Sequence, residues 1–145
     1  MNTTVMQADR PAAGLMRIGV LIMITALGGM AIASGPGLSL AQVLVLALSV
    51  LVASASAGAF NQYIEADSDR LMVRTRRRAF ASGALKTSPL WLLAIAALLA
   101  GAVAAAAIVL NTTSALFIFL GAFFYAVVYT VWLKRRTWLN IVFGG

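Results

Sequence analysis

The chain has 145 residues, of which 62% are hydrophobic and 10% are charged, with a net charge of +7. Because soluble domains carry about 25% charged residues, this composition excludes a soluble fold and predicts a polytopic membrane protein. The sequence contains no histidine and no cysteine, which excludes imidazole catalysis, histidine metal ligation and thiolate chemistry by its own side chains.

Four apolar stretches are long enough to cross a bilayer as helices, which takes about 20 residues each. They cover residues 15–33, 38–59, 90–110 and 114–133. A fifth apolar stretch, residues 138–145, predicts the opening of another span. We therefore expect an all-α membrane helix bundle with four transmembrane helices and the start of a fifth.

The connections between the predicted spans alternate in charge. Residues 34–39 and 111–114 form short uncharged turns, whereas the basic residues occupy the other segments: Arg10, Arg17, Arg70, Arg74, Arg76, Arg77, Arg78, Lys86, Lys134, Arg135 and Arg136. Segments rich in Lys and Arg mark the cytoplasmic side. We expect the N-terminus and the loop at about residues 60–88 to be cytoplasmic, in a bacterial plasma (inner) membrane. This distribution favours the lipid bilayer, and not a nucleic acid, as the partner of the positive charge.

Three of the four acidic residues lie within the sequence NQYIEADSDR, residues 61–70. If the second helix continues through Asp69, then Asn61, Glu65 and Asp69 are spaced i, i+4 and i+8 and share one face. The sequence therefore predicts that an amide and two carboxylates lie together where the helix leaves the membrane.

The basic residues near these acids are unevenly placed. Arg70 follows Asp67 by three residues, so Asp67 has a partner at helical spacing. Glu65 and Asp69 have no basic residue three or four positions later, and they repel each other across one helical turn. A bound cation would relieve this repulsion. The alternative is a solvated cluster of mixed charge, as in many surface loops.

Carboxylate and amide oxygens suit Mg²⁺, which completes its coordination with water and substrate phosphate. The sequence RTRRR, residues 74–78, follows directly, and arginine binds phosphate through its planar fork of N–H groups. Together these features predict a magnesium–pyrophosphate site at the cytoplasmic surface, with the lipid tail of the ligand among the helices. The alternative for the arginines is that they set topology and bind anionic lipid headgroups.

The sequence NQYIEADSDRLMVRTRRRAFASG resembles the first aspartate-rich motif of the UbiA-type intramembrane prenyltransferases, N-x-x-x-[DE]-x-x-x-D. Its continuation, with Met72, Arg74, Thr75, Arg78 and Gly83, resembles the protoheme IX farnesyltransferase branch of that superfamily. The sequence YTVWLKRRTWLNIVFGG, residues 129–145, is similar to the segment that joins the fourth and fifth helices in this branch.

The resemblance implies that residues 1–145 are the N-terminal part of a nine-helix prenyltransferase domain. The implied reaction is the Mg²⁺-dependent transfer of a farnesyl group from farnesyl diphosphate to haem b, which forms haem O. Site roles carry over by position in the motif. Catalytic and metal-binding roles fall on Asn61, Glu65 and Asp69, with Asp67 as a further metal ligand, and diphosphate binding falls on Arg74 and Arg78.

The sequence departs from the family pattern in three places. Arg17 alone matches the Lys-Pro-Arg that often begins the first helix, and Ala79 stands where proline often follows Arg78. No acidic residue follows Asp69, so the second aspartate-rich motif is absent. We therefore expect a C-terminal half to supply that motif, and we expect this chain to be inactive alone.

Two alternative functions stay open at this point. One is a UbiA-type prenyltransferase with another aromatic acceptor. The other is a non-enzymatic small polytopic membrane protein, such as a transporter repeat or an assembly factor. Because transporters usually carry ionisable residues near the middle of the membrane, and none of the four predicted spans does so, the transporter reading is the weaker one.

Overall fold

The computed structural model describes residues 11–33 and 35–133. This part of the chain is helical and holds no strand, as the composition predicts. Its elements are α1 (Pro11–Ile32), α2 (Leu40–Ile64), α3 (Ala66–Leu71), α4 (Pro89–Val109), α5 (Thr112–Phe123) and a π-helical segment (Phe124–Leu133). The predicted fifth span, residues 138–145, lies outside the described residues.

Three helical stretches have the length and hydropathy needed to cross a membrane: Leu40–Ile64, Pro89–Val109 and Thr112–Trp132. Helix α1 has 22 residues, and its Met16–Ile32 part counts as a shorter apolar helix. Large apolar side chains cover the outside of the bundle, including Leu44, Leu48, Leu93 and Leu98. Exposure of such a surface to water is unfavourable, whereas its contact with lipid chains is not. The chain is a multi-pass membrane protein.

Polar side chains begin three of the helices, two of them at the predicted turns. The Ser39 hydroxyl accepts a hydrogen bond from the Gln42 N–H at 3.3 Å, and Gln42 Oε1 accepts from the Ser39 N–H at 3.0 Å. Ser88 caps α4, and Asn111 Oδ1 accepts from the Ser114 N–H at 2.7 Å. These caps satisfy backbone N–H groups that have no partner within the helix.

Helix α2 is the centre of the bundle and packs against α1, α4, α5 and the π-helical segment. Its buried positions up to the acidic stretch carry small residues, which are Ser49, Ala53, Ser56, Ala57 and Gly58. Small residues let membrane helices approach closely. In α1, a Cβ added at Gly19 would lie 3.0 Å from Leu51 Cδ1 of α2, so a side chain there would require Leu51 to shift.

The long connection between α3 and α4 folds back on the bundle and does not extend away from it. Phe80 is 3% exposed and contacts two other rings edge-on, Tyr63 of α2 at 5.4 Å and Trp91 of α4 at 5.7 Å. Gly83 adopts a φ of +80°, a left-handed conformation that glycine accepts without steric cost. The loop thereby brings Arg78 next to the C-terminal end of α2.

Candidate functional site

The acidic stretch keeps the helical spacing that the sequence predicts. The Glu65 N–H donates to the Asn61 carbonyl at 3.0 Å, and the Asp69 N–H donates to the Glu65 carbonyl at 2.8 Å. Because these i to i+4 bonds continue from α2 into α3, the three residues lie on one face of the helix. The helix differs from the prediction only at Glu65, where φ is −94° and ψ is 5°. Because this ψ departs from the helical value, α2 ends at Ile64 and α3 begins at Ala66.

One arginine lies beside both carboxylates of this face. Arg78 Nη1 donates to Asp69 Oδ2 at 2.8 Å and lies 3.8 Å from Glu65 Oε2. The carboxylates are buried, with side chains 5% and 10% exposed, and the Arg78 side chain is 30% exposed. The interpretation that these acids lack a nearby cation is therefore wrong. The cation comes from nine residues beyond Asp69, because the loop folds back, and helical spacing alone does not reveal it.

Asp67 lies apart from this pair. Its side chain is 98% exposed and lies 3.6 Å from Arg70, the ion pair that the spacing predicts. Arg70 also donates through Nε to the Ala81 carbonyl at 3.2 Å, which ties α3 to the loop. Arg74 is exposed and is not part of the buried cluster. The structure thus brings Glu65 and Asp69 together with Arg78, while Asp67 and Arg74 face solvent.

The two buried carboxylates suit a metal ion that uses few protein ligands. Within the described ranges, no group of three or more acidic, histidine or cysteine side chains is placed to hold a metal. Mg²⁺ commonly binds through one or two carboxylates and takes its other ligands from water and phosphate. Glu65 and Asp69 both lie close to one positive group, Arg78 Nη1, and two carboxylates are a number that Mg²⁺ commonly takes from a protein.

Thr75 is a site residue to which the sequence assigned no role. Its side chain is buried, and its hydroxyl donates to the Asp69 carbonyl oxygen at 3.2 Å. Thr75 belongs to the motif shared with the resembling family, and this was the available signal. Through Thr75 and Arg78 the loop contacts both the backbone and the side chain of Asp69.

A second contact that the sequence did not reveal holds Asn61. Its Nδ2 donates to Thr130 Oγ1 at 3.0 Å, across 69 residues of sequence. Thr130 lies in the π-helical segment, is fully buried, and donates in turn to the Tyr125 carbonyl at 2.9 Å. No local pattern could have identified this pair, because it exists only once α2 and the π-helical segment pack together.

An apolar cavity of about 560 Å³ lies between α1, α2 and α5. Its lining includes Ile18, Leu46, Val50, Phe117 and Ile118. Ala57 and Gly58 of α2 also line it, and they precede Asn61 by one helical turn. Tyr125 lines it as well, and Thr130 of the same π-helical segment contacts Asn61, so this segment contacts both the cavity and the acidic face.

The fold and the site together define an integral membrane protein in which a buried acid–arginine cluster adjoins an apolar cavity within the bundle. The model of the UbiA prenyltransferase family matches residues 22–145, and the chain belongs to that family.

Curated relatives in this family are similar over most of the chain. The chain is 51% identical over 130 residues, 90% of its length, to protoheme IX farnesyltransferase 2 of Paramagnetospirillum magneticum. It is 43% identical over 127 residues, 86% of its length, to protoheme IX farnesyltransferase of Caldivirga maquilingensis. These matches cover 45% and 44% of the two relatives, so the chain spans less than half of their length. No solved structure matches the chain.

Proposed function

We propose that the acidic face binds Mg²⁺ and the diphosphate of farnesyl diphosphate, and that it serves the transfer of farnesyl to haem b. The observation that carries the proposal is the placement of the buried Glu65 and Asp69 side chains on one helix face, where both lie close to one positive group, Arg78 Nη1. Membership of the UbiA family favours a prenyltransferase over a transporter repeat or an assembly factor. The names of the relatives supply the farnesyl donor and the haem acceptor.

The proposed ligands of the ion are Asn61, Glu65 and Asp69. Asp67 is the weaker candidate, because its exposed carboxylate is paired with Arg70. When bound, Mg²⁺ would neutralise charge on the diphosphate and so favour cleavage of the bond between the diphosphate oxygen and the farnesyl carbon. Burial makes Glu65 and Asp69 effective ligands, since water competes less for their oxygens.

Arg78 is suited to contact the acids and a phosphate together. A guanidinium has five N–H donors in one plane, and the contacts to Glu65 and Asp69 use Nη1. The side chain is 30% exposed, so part of it is accessible to a ligand. Exposed Arg74 lies on the same loop. We propose that both arginines stabilise the negative charge that develops on the leaving diphosphate.

The apolar cavity is our candidate for the farnesyl chain. Its volume of about 560 Å³ falls within the range of small-molecule pockets, about 300–1,000 Å³, and such pockets are mostly apolar. It begins one turn of α2 before Asn61, so a diphosphate at the acidic face would leave its chain near the cavity. Apolar walls would also keep water away from the allylic cation that forms when the diphosphate leaves.

The curated relatives are about twice as long as the matched region, and this supports a site built from two halves. We propose that a second half carries the other aspartate-rich motif. Arg17 near the start of α1 and the arginine loop before α4 lie at the same end of the bundle, because α1 and α2 are joined by a short turn. By the positive-inside rule this end is cytoplasmic, and we propose the bacterial inner membrane.

The test compares two aspartates that differ in placement. The chain would be extended with the remaining part of the Paramagnetospirillum relative and expressed in cells that make no haem O of their own. We expect haem O in extracted membranes with the unmodified sequence and with Asp67→Asn, but none with Asp69→Asn at equal membrane insertion. Near-normal haem O with Asp69→Asn would refute the ligand assignment. Robust farnesyl transfer by the 145-residue chain alone would refute the two-half proposal.

A further inference from the structure

The Thr130 hydroxyl has a defined direction of hydrogen bonding. A threonine hydroxyl has one proton to donate and two lone pairs that accept. Its proton goes to the Tyr125 carbonyl at 2.9 Å, a bond that spans five residues as the turns of a π-helix do. Thr130 is 0% exposed, so water does not offer a competing partner. With its proton on the Tyr125 carbonyl, the hydroxyl accepts from its other neighbour, the Asn61 amide.

This direction selects one of the two orientations of the Asn61 amide. Rotation of an amide by half a turn exchanges its NH₂ group and its oxygen, and nothing in the backbone of α2 distinguishes the two. With Nδ2 at 3.0 Å from Thr130 Oγ1, the amide donates to the hydroxyl. In the reverse orientation, Oδ1 could gain a hydrogen bond from Thr130 only if the hydroxyl gave up its bond to the Tyr125 carbonyl, so the pair would keep one hydrogen bond instead of two. Thr130 therefore keeps the NH₂ group on its own side and Oδ1 directed away.

The orientation matters for a cation, because an amide oxygen attracts a metal ion and an NH₂ group repels it. We infer that Thr130 is a positioning residue, which turns the Asn61 amide so that its oxygen, and not its nitrogen, can bind the metal. This rests on the proposed function, in which Asn61 is a metal ligand beside Glu65 and Asp69. On this inference the π-helical segment serves to place Thr130 beside Asn61. Irregular turns of this kind are frequent at functional sites.

A purely structural role for Thr130 makes different predictions. In that case the hydroxyl would only join the π-helical segment to α2, and its loss would weaken the bundle whichever residue occupied position 61. Thr25 provides a matched control, because its hydroxyl also donates to a backbone carbonyl, that of Leu21 at 2.9 Å, within membrane helix α1. Thr25→Val removes the same kind of bond without touching Asn61.

The first measurement reads the amide directly and needs no metal. The 145-residue chain in detergent micelles would carry isotopically labelled asparagine, and Asn61→Ala would identify the side-chain NH₂ signals of Asn61. We expect Thr130→Val to shift these signals and to speed their hydrogen exchange. Thr130→Ser and Thr25→Val should leave them as in the unmodified chain. Unchanged Asn61 signals in Thr130→Val would overturn the inference, whatever the metal-binding result.

The second measurement uses Mn²⁺ alone as the probe, titrated into the same samples and followed by electron paramagnetic resonance. We expect Thr130→Val to weaken Mn²⁺ binding about fivefold, the change that about 1 kcal/mol produces. Thr130→Ser should restore the affinity. In an Asn61→Ala background, Thr130→Val should have no further effect, because the amide that it orients is gone.

The two measurements separate failure of this inference from failure of the proposed function. If Thr130→Val weakens Mn²⁺ binding equally in the unmodified chain and in the Asn61→Ala background, Thr130 has a structural role and the inference is overturned. An unmodified chain that binds no Mn²⁺ would overturn the proposed metal site, and the amide signals alone would then decide whether Thr130 orients Asn61.

Discussion

Arg78 offers the most direct test of the acidic face. Its Nη1 lies 2.8 Å from an oxygen of Asp69 and 3.8 Å from an oxygen of Glu65. At an effective dielectric constant of about 20, each attraction is on the order of 4–6 kcal/mol before desolvation is subtracted. Desolvation of these groups offsets most of this, and measured hydrogen bonds to charged groups contribute about 1.5–3 kcal/mol.

The perturbation is Arg78→Met, which removes the charge and keeps a long apolar stem. Glu65 and Asp69 then lose the shared guanidinium, and we expect the free energy of unfolding to fall by about 1.5–3 kcal/mol. For a chain of this length that is a decrease of about 5–9 °C in melting temperature. The control is Arg76→Met, since Arg76 is exposed on the same loop, and its melting temperature should match that of the unmodified chain.

The assay is thermal unfolding in detergent, with millimolar MgCl₂ compared with NaCl of equal ionic strength. Mg²⁺ should stabilise Arg78→Met more than the unmodified chain, because Arg78 no longer competes for the same oxygens. An ion present at about 100 times its dissociation constant contributes about 2.7 kcal/mol, similar to the loss. Adding Asp69→Asn should abolish this rescue. Two results would refute the claim that Arg78 and Mg²⁺ bind the same carboxylate oxygens. One is an equal melting temperature for Arg78→Met and Arg76→Met. The other is an equal increase in melting temperature with Mg²⁺ for Arg78→Met and the unmodified chain.

Two further predictions concern how the loop is held against the bundle. Phe80→Ala removes a buried ring, and we expect a loss of about 3–5 kcal/mol and faster tryptic cleavage at the loop arginines, whereas Leu71→Ala at an exposed position should change neither. Thr75→Val removes the hydroxyl that donates to the Asp69 carbonyl, so thermal unfolding should report a loss of about 1 kcal/mol, with exposed Thr87→Val as the control. Equal melting temperatures for Phe80→Ala and Leu71→Ala would contradict the packing of Phe80, and equal melting temperatures for Thr75→Val and Thr87→Val would contradict the hydrogen bond of Thr75.

The predictions from sequence succeeded where local periodicity decides the outcome. The predicted spans agree with the helices to within a few residues at most ends, because the turns carry capping residues such as Ser39 and Asn111. The spacing of Asn61, Glu65 and Asp69 is retained, because the helical hydrogen bonds continue through the junction at Glu65. Asp67 pairs with Arg70 as its spacing predicts. The caps, the shared face and the ion pair each depend on residues at most eight positions apart, and each span depends on one continuous apolar stretch.

The predictions failed where a partner comes from a distant part of the chain. The sequence indicated that Glu65 and Asp69 had no cation nearby, but Arg78 reaches both because buried Phe80 folds the loop back. The contact between Asn61 and Thr130 depends on the packing of two membrane helices that are far apart in sequence. Helical periodicity carries no information about either contact.

The sequence by itself determined that the protein is a helical membrane bundle and that an amide and two carboxylates share a helix face. Few charges and long apolar runs leave only helices that satisfy their own backbone in lipid, and a regular helix repeats its faces. The tertiary structure alone decided which groups meet that face. Arg78 and Thr130 reach it because the loop folds back and α2 packs against the π-helical segment, so the charge balance and amide orientation of the site depend on packing.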